Sequence, residues 1–245
     1  MIEKTGERPI PEQPGTLRGV EMDNLTRYAF ALTYVENKTV LDCACGVGYG
    51  TRLMAAKANF VQGWDYSAQS IEVARQHYSV PNSRFDVVDA EKILPKTVVY
   101  DTVVSFETIE HLANGDHFLL EIRQILKPDG TLVISTPFID YRGFSGWAFH
   151  KREYTRRQLC FLLRRHFAFI KLYVQPAAGL YIAPFSRRFF EDCSTAQTSL
   201  IAVCSNRPCP AVSSSFRQIA RTYFNGIVKR KAKDWLGASG LLKIA

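Results

Sequence analysis

The 245 residues are 47% hydrophobic, 22% charged and 12% aromatic. That balance excludes a disordered or fibrous chain and fits one large domain, since α/β domains commonly hold about 200–250 residues around one core. No apolar run reaches the ~18–20 residues that a bilayer crossing needs, and Met1-Ile2-Glu3-Lys4 lacks the apolar stretch of a secretory signal, so a cytoplasmic protein is expected. The formal net charge of +8 favours polyanionic neighbours, and six cysteines without a C-x-x-C pair argue against a disulfide framework or a zinc knuckle.

In chain order, residues 1–20 carry Pro9, Pro11, Pro14 and Gly15 and read as an extended arm. Leu25, Tyr28, Ala29 and Leu32 fall at helical spacing, which predicts a helix from Val20 to about Val35. An alternation follows: strand Thr39–Cys43, helix Tyr49–Lys57, strand Phe60–Trp64, helix Ser67–Tyr78, strand Arg84–Val88, strand Tyr100–Ser105, helix Gly115–Leu126 and strand Thr131–Ser135. Lys127-Pro128-Asp129-Gly130 reads as the turn between the last two. Strands alternating with helices of this length pair in parallel through right-handed crossovers. The expected class is therefore α/β, a Rossmann-like doubly wound sheet.

After Pro137 the rhythm changes. Phe138–His150 reads as a loop rich in Gly and aromatics, Thr155–Arg165 as a helix, and Phe167–Val174 and Thr198–Cys204 as strands, the second at an antiparallel edge. Asn206-Arg207-Pro208-Cys209-Pro210 reads as a linker. Phe216, Ile219, Tyr223 and Ile227 then predict a basic amphipathic helix. This divides the chain into a domain over 1–205 and an appended 206–245, whose helix would pack on the domain or meet a membrane surface or a partner protein.

The strongest motif is Val40-Leu41-Asp42-Cys43-Ala44-Cys45-Gly46-Val47-Gly48-Tyr49-Gly50, where a strand end leads into a helix. Glycines there let the backbone lie against a ligand at the carboxyl end of the sheet. Asp42 would repel a pyrophosphate and suits a cationic or amine-bearing ligand. Asp65, ending the second strand in Gly63-Trp64-Asp65-Tyr66-Ser67, is placed to accept both hydroxyls of a ribose. Asp89, after the third strand, would accept from an adenine amino group beside the Ala90 backbone. A nicotinamide dinucleotide site is the rival reading, but its G-x-G-x-x-G ends on Thr51 if counted from Gly46 and leaves Asp42 unexplained.

Over roughly residues 20–205 the ordered set resembles the class I S-adenosylmethionine-dependent methyltransferases. The glycine loop, Asp65 and Asp89-Ala90 are joined by Tyr100-Asp101-Thr102-Val103-Val104-Ser105 and Leu126-Lys127-Pro128-Asp129-Gly130-Thr131-Leu132. Ala44 stands where the family's glycine motif usually has Gly. The resemblance implies S-adenosyl-L-methionine as cofactor: Asp42, Gly46 and Gly48 would face its methionine part, Asp65 its ribose, and Asp89 with Ala90 its adenine. Ala44, Tyr66, Ser105 and Tyr28 complete the expected cofactor surface.

Past the fourth strand, Glu107, Glu110 and His111 stand at i, i+3 and i+4, which on a helical turn would bring them to one face. With His150 they make a candidate set for Mg2+ or Mn2+. Without a metal, His111 or His150 would serve as general base. This E-x-x-E-H set with a later His is similar to metal-dependent 2′-O-methyltransferases of the terminal ribose of small RNA, and its first part resembles ubiquinone-biosynthesis O-methyltransferases. The layout also resembles methyltransferases associated with bacterial glycan and lipopolysaccharide synthesis, through Gly6-Glu7-Arg8-Pro9-Ile10-Pro11 and Arg27-Tyr28-Ala29-Phe30-Ala31. There Tyr28 or Arg27 would close over the cofactor, and Tyr141, Phe144, Trp147 and Phe149 would stack on a sugar. The expected function is O-methylation of a sugar hydroxyl on a glycan or its precursor, by an enzyme peripheral at the membrane if the tail docks there. The alternatives are RNA, a quinone or phenol, and a catalytically silent cofactor-binding subunit.

Overall fold

The computed structural model describes residues 19–92, 99–138, 148–176, 182–185 and 199–208. The N-terminal arm, the aromatics Tyr141, Phe144 and Trp147, and the amphipathic helix expected beyond residue 210 lie outside the described residues. Within them the chain runs α1 (Gly19–Ala31), a 3-10 turn (Leu32–Tyr34), β1 (Thr39–Cys43), α2 (Tyr49–Ala55), β2 (Phe60–Asp65), α3 (Ala68–His77) and β3 (Ser83–Val87). It continues with β4 (Tyr100–Ser105), a 3-10 turn (Ile109–His111), α4 (Gly115–Ile125), β5 (Leu126–Pro137), α5 (Arg156–Arg164), β6 (Phe169–Gln175), β7 (Ala183–Pro184) and β8 (Ser199–Ser205).

One eight-stranded sheet has the order β3-β2-β1-β4-β5-β8-β6-β7. Strands β1 to β5 pair in parallel, and β8 runs antiparallel to both β5 and β6. Alternation along the strands builds two cores. Val40, Val61, Val104, Val133 and Ile201 face α1 and α2, whereas Leu41, Val103, Ile134 and Ala202 face α4 and α5. A smaller cluster of Cys45, Val47, Ile71, Ala74 and Phe85 packs beneath the glycine loop, so Cys43 and Cys45 are buried thiols. Helix starts follow side-chain chemistry: Ser67 accepts from Ser70 N, Asn114 from His117 N, and Thr155 with Gln158 closes a capping box.

Two expectations need correction. The strand expected at Thr198–Cys204 is described as β8, Ser199–Ser205; it is antiparallel, as predicted, but it is not an edge. All seven residues of β8 are buried, because β6 and the short β7 lie outside it. Lys127-Pro128-Asp129-Gly130 falls inside the span of β5 as a bulge: Tyr100 pairs with Leu126 and Thr102 with Thr131, so the intervening residues swell out of the ladder without ending the strand. The order places a topological switch between β1 and β4, where successive crossovers leave to opposite sides and open a crevice at the strands' carboxyl ends.

Candidate active site

A cavity of about 530 Å³ occupies that crevice. One end is lined by Ala44, Gly46, Asp65, Tyr66, Asp89 and Ala90, the other by Asn24, Glu107, Thr108, His111 and Phe149, with Tyr28 and Phe106 on its wall and Lys151 bridging to Glu91. The glycine loop is held in left-handed conformations at Ala44 (φ 66°), Gly46 (φ 56°) and Gly48 (φ 92°). The two glycines have different duties. A Cβ on Gly46 would meet nothing within 4 Å, so the loop leaves room for a ligand, whereas one on Gly48 would strike Ala74 and Phe85 at 2.8 Å. Gly48 therefore seats the loop on the cluster beneath it and does not line the cavity.

Asp65 reaches the cavity from the end of β2. Its carboxylate accepts from Ser67 N at 2.9 Å and from Gly46 N at 3.0 Å, fixing the glycine loop while keeping acceptor capacity toward the cavity. Asp89 accepts from Glu91 N at 3.0 Å and faces Lys92 at 3.4 Å. Beside it, Glu91 accepts from Lys151 Nζ at 2.6 Å and Ala113 N at 2.8 Å. These bonds hold the Glu91 carboxyl below its ordinary range.

Asp42 and Ser105 do not line the cavity as expected. Asp42 is buried behind Tyr28, accepting from its hydroxyl at 3.1 Å and from Thr51 Oγ1 at 2.6 Å. Burial pushes its carboxyl up to about 7 against the opposing pull of those two donors. Asp42 thus acts on the cavity by fixing Tyr28, whose ring also packs edge-on to Tyr49 and Phe106. Ser105 is fully buried in β4, and its hydroxyl has no hydrogen-bond partner among the described residues. Arg27 is buried rather than closed over the cavity.

At the other end the expected convergence holds for only part of the set. Glu110, His111 and His150 bring one ligand atom each within 4.8 Å of one another. Glu107 is not in this group, because its backbone is left-handed (φ 48°) and the 3-10 turn begins only at Ile109, so helical spacing does not apply to it. The Glu107 carboxylate instead accepts from Ser135 Oγ at 2.6 Å and Ser199 Oγ at 3.3 Å.

Glu110 is fully buried. One oxygen accepts from Thr136 Oγ1 at 2.9 Å, while the other, Oε1, has no hydrogen-bond partner among the described residues and lies 3.8 Å from His111 Nε2. Burial, reinforced by the Glu107 charge, pushes this carboxyl well above its usual range. Nδ1 of His111 is anchored on the Phe149 carbonyl at 3.1 Å, and Nδ1 of His150 on Glu153 Oε1 at 2.5 Å. A ring whose Nδ1 proton is engaged in this way presents the Nε2 lone pair, the usual arrangement of metal-binding imidazoles. An orphaned carboxylate oxygen beside two oriented imidazoles fits a divalent cation. His150 belongs to this cluster but does not line the cavity.

Residues 35–160, more than half of the chain, match the model of the family described as "Methyltransferase domain". Among curated proteins, the chain is 33% identical over 169 residues to a Mycolicibacterium smegmatis protein named "Probable S-adenosylmethionine-dependent methyltransferase", covering 65% of this chain and 62% of that one. It is 31% identical over 126 residues to the mitochondrial ubiquinone biosynthesis O-methyltransferase of Schizosaccharomyces pombe, covering 49% and 45%. The chain therefore spans about half to three-fifths of the length of these relatives. Among solved structures, a chain from the complex of the Haloferax volcanii Trm112 methyltransferase activator with a methyltransferase superposes with a TM-score of 0.61 at 21% identity, over 79% of this chain and 94% of that one. The plantazolicin methyltransferase BpumL in complex with S-adenosylhomocysteine gives 0.54 at 15%, over 76% and 84%. Family model and fold agree: the chain belongs to the methyltransferase-domain family and has its Rossmann-like fold.

Proposed function

We propose that the chain is an S-adenosylmethionine-dependent O-methyltransferase whose acceptor is one of two neighbouring hydroxyls on a sugar, in a glycan or its precursor. The observation that supports this best is a single cavity with two chemically different ends. The glycine loop, Asp65 and Asp89 fit a nucleoside with an amine-bearing tail, and Glu107 with His111 offers oxygen and nitrogen acceptors to a hydroxyl. S-adenosylmethionine, when bound, supplies an electrophilic methyl group. The chain's residues hold the two reactants in one crevice, and with no cation bound His111 would take the proton that the acceptor hydroxyl gives up.

Glu110, His111 and His150 would hold a cation, and two imidazoles with one carboxylate suit Mn2+ better than Mg2+. Such an ion would lower the pKa of a bound hydroxyl. Among the described residues, the cavity walls carry Asp65, Asp89, Glu91 and Glu107 against Lys151 alone of the lysines and arginines. That acidity disfavours an acceptor with phosphates at its reacting end and ranks RNA below a neutral polyol. A quinol or phenol is the second reading, supported by likeness to proteins named ubiquinone biosynthesis O-methyltransferase.

The test is transfer of labelled methyl from S-adenosylmethionine into cell extract separated into glycan, RNA and small-molecule pools, with and without chelator. Label in the glycan pool is expected. Label in the RNA or quinone pool alone would replace the acceptor class, and no label in any pool would favour a silent cofactor-binding subunit. Loss of transfer on chelation, restored by Mn2+, would support the cation.

A further inference from the structure

Beneath the acceptor end of the cavity lies a buried polar chain that neither the family model nor the spacing of motifs assigns. Arg27 on α1 is 5% exposed. Its guanidinium donates to Gln175 Oε1 at 2.8 Å, to Ser199 Oγ at 3.3 Å, and to Asn24 Oδ1, while its buried Nε has no partner among the described residues. Ser199 Oγ in turn donates to Glu107 Oε2 at 3.3 Å. The direction of this chain is forced. A guanidinium only donates, so Ser199 Oγ accepts from Arg27 and its one hydroxyl proton is left to point to Glu107. Ser135 closes the other side, because Glu107 N donates to Ser135 Oγ at 3.2 Å and that hydroxyl donates to Glu107 Oε1 at 2.6 Å.

Two of the roughly four lone-pair positions of the Glu107 carboxylate are thus occupied from below, and the side chain lines the cavity together with Asn24. The left-handed backbone of Glu107 has a physical reason in this arrangement: the strained conformation is held by bonds to the end of β5. A buried cation at one end and a clamped carboxylate at the other make an electrostatic device aimed at the cavity, where desolvation strengthens it.

We propose that Glu107 is the acceptor-binding carboxylate, accepting from the hydroxyl next to the one methylated, and that Arg27, acting through Ser199, is a positioning residue that fixes it. The proposal rests on the methyl-transfer reading for its substrate. It assigns Glu107 to the acceptor rather than to the cation cluster, and it selects acceptors that donate hydrogen bonds over those that present an anion.

The test uses the full chain and the variants Arg27→Met, Arg27→Lys and Ser199→Ala. S-adenosylhomocysteine affinity is read by calorimetry, and the Glu107 carboxyl resonance by NMR of chain labelled with 13C at glutamate Cδ, assigned with Glu107→Gln. Label transfer into cell extract is followed over a dilution series to separate apparent KM from kcat. Arg27→Met and Ser199→Ala are expected to keep S-adenosylhomocysteine affinity within about twofold, to move the Glu107 resonance, and to raise the apparent KM for acceptor roughly tenfold or more. Arg27→Lys is expected to recover part of that loss, as a single ammonium cannot hold Gln175, Ser199 and Asn24 in one plane. Wild-type KM together with an unmoved resonance in Arg27→Met and Ser199→Ala would overturn the proposal. If the wild-type chain itself labels nothing, the methyl-transfer reading falls, and the resonance alone decides the relay: an unmoved signal overturns it.

Discussion

The two ends of the cavity are built by different means. The end under β1 to β3 uses backbone amides, glycines and carboxylates that stand within about fifty residues of one another, from Ala44 to Ala90. The acceptor end is assembled from side chains that only the sheet topology unites: Asn24 and Arg27 from α1, Glu107 after β4, Ser135 and Thr136 in β5, Gln175 in β6 and Ser199 in β8. A site made of backbone tolerates sequence change wherever the loop conformation survives. A site made of distant side chains changes its chemistry with single substitutions and is the natural place for acceptor choice to diverge among relatives that share the first end.

The largest perturbation should come from closing the space behind the glycine loop. A Cβ at Gly50 would lie 2.0 Å from the Tyr28 ring, so Gly50→Ala must expel that ring and break its bond to Asp42. Overpacking and the lost buried hydrogen bond together should cost on the order of 3–4 kcal/mol, read by denaturant unfolding. Wild-type stability would show that Tyr28 has another seat.

Next in size is a pH effect. Because the folded Asp42 carboxyl is raised to about 7 from an unfolded value of 3.8, the folded state binds the extra proton between these limits, and stability falls as pH rises through that window. Asp42→Asn should flatten the curve between pH 4 and 7 by on the order of 3 kcal/mol. Parallel curves for the two proteins would remove Asp42 as the source.

Asp65→Ala should weaken S-adenosylmethionine binding by about 1.5–3 kcal/mol, the worth of hydrogen bonds to a charged group, in part because Gly46 N loses its anchor. Calorimetry measures it, and unchanged affinity would remove Asp65 from the cofactor end. The smallest effect belongs to the exposed Lys151–Glu91 pair at the cavity rim, with side chains 52% and 36% exposed. A double-mutant cycle should give at most about 1 kcal/mol. A larger coupling would mean that the rim is ordered far more tightly than a solvated ion pair allows.

The cofactor end and the parallel half of the sheet were legible because their determinants are local. Alternating periods of two and 3.6 and the glycine run each act over a few residues, and β1 and β4 begin and end where the pattern places them. The acceptor end was legible only in fragments. Glu110 and His111 carry a spacing signal and His150 enters only as a later histidine, whereas Glu107 falls outside their cluster because a single left-handed residue cancels helical spacing, and nothing in a linear pattern marks such a residue when it is not glycine. Asp42 was read as a ligand contact because an acidic residue beside glycines looks the same whether it faces the crevice or is buried behind Tyr28. Ser199 and Gln175 stand in plain apolar strands, and only their direct pairing across β8 and β6 reveals them.

The interior position of β8 also bears on how the chain is made. Until Ser199–Ser205 leaves the ribosome, β5 lacks its antiparallel neighbour and β6 has nothing to join it to the parallel half. During synthesis the nascent sheet therefore exposes open ladder edges, flanked by strands that are apolar on both faces, and these are the features that recruit chaperones or self-association. One late segment then closes the sheet and places Ser199 beneath the acceptor end of the cavity, so the finished site and the finished fold arrive together.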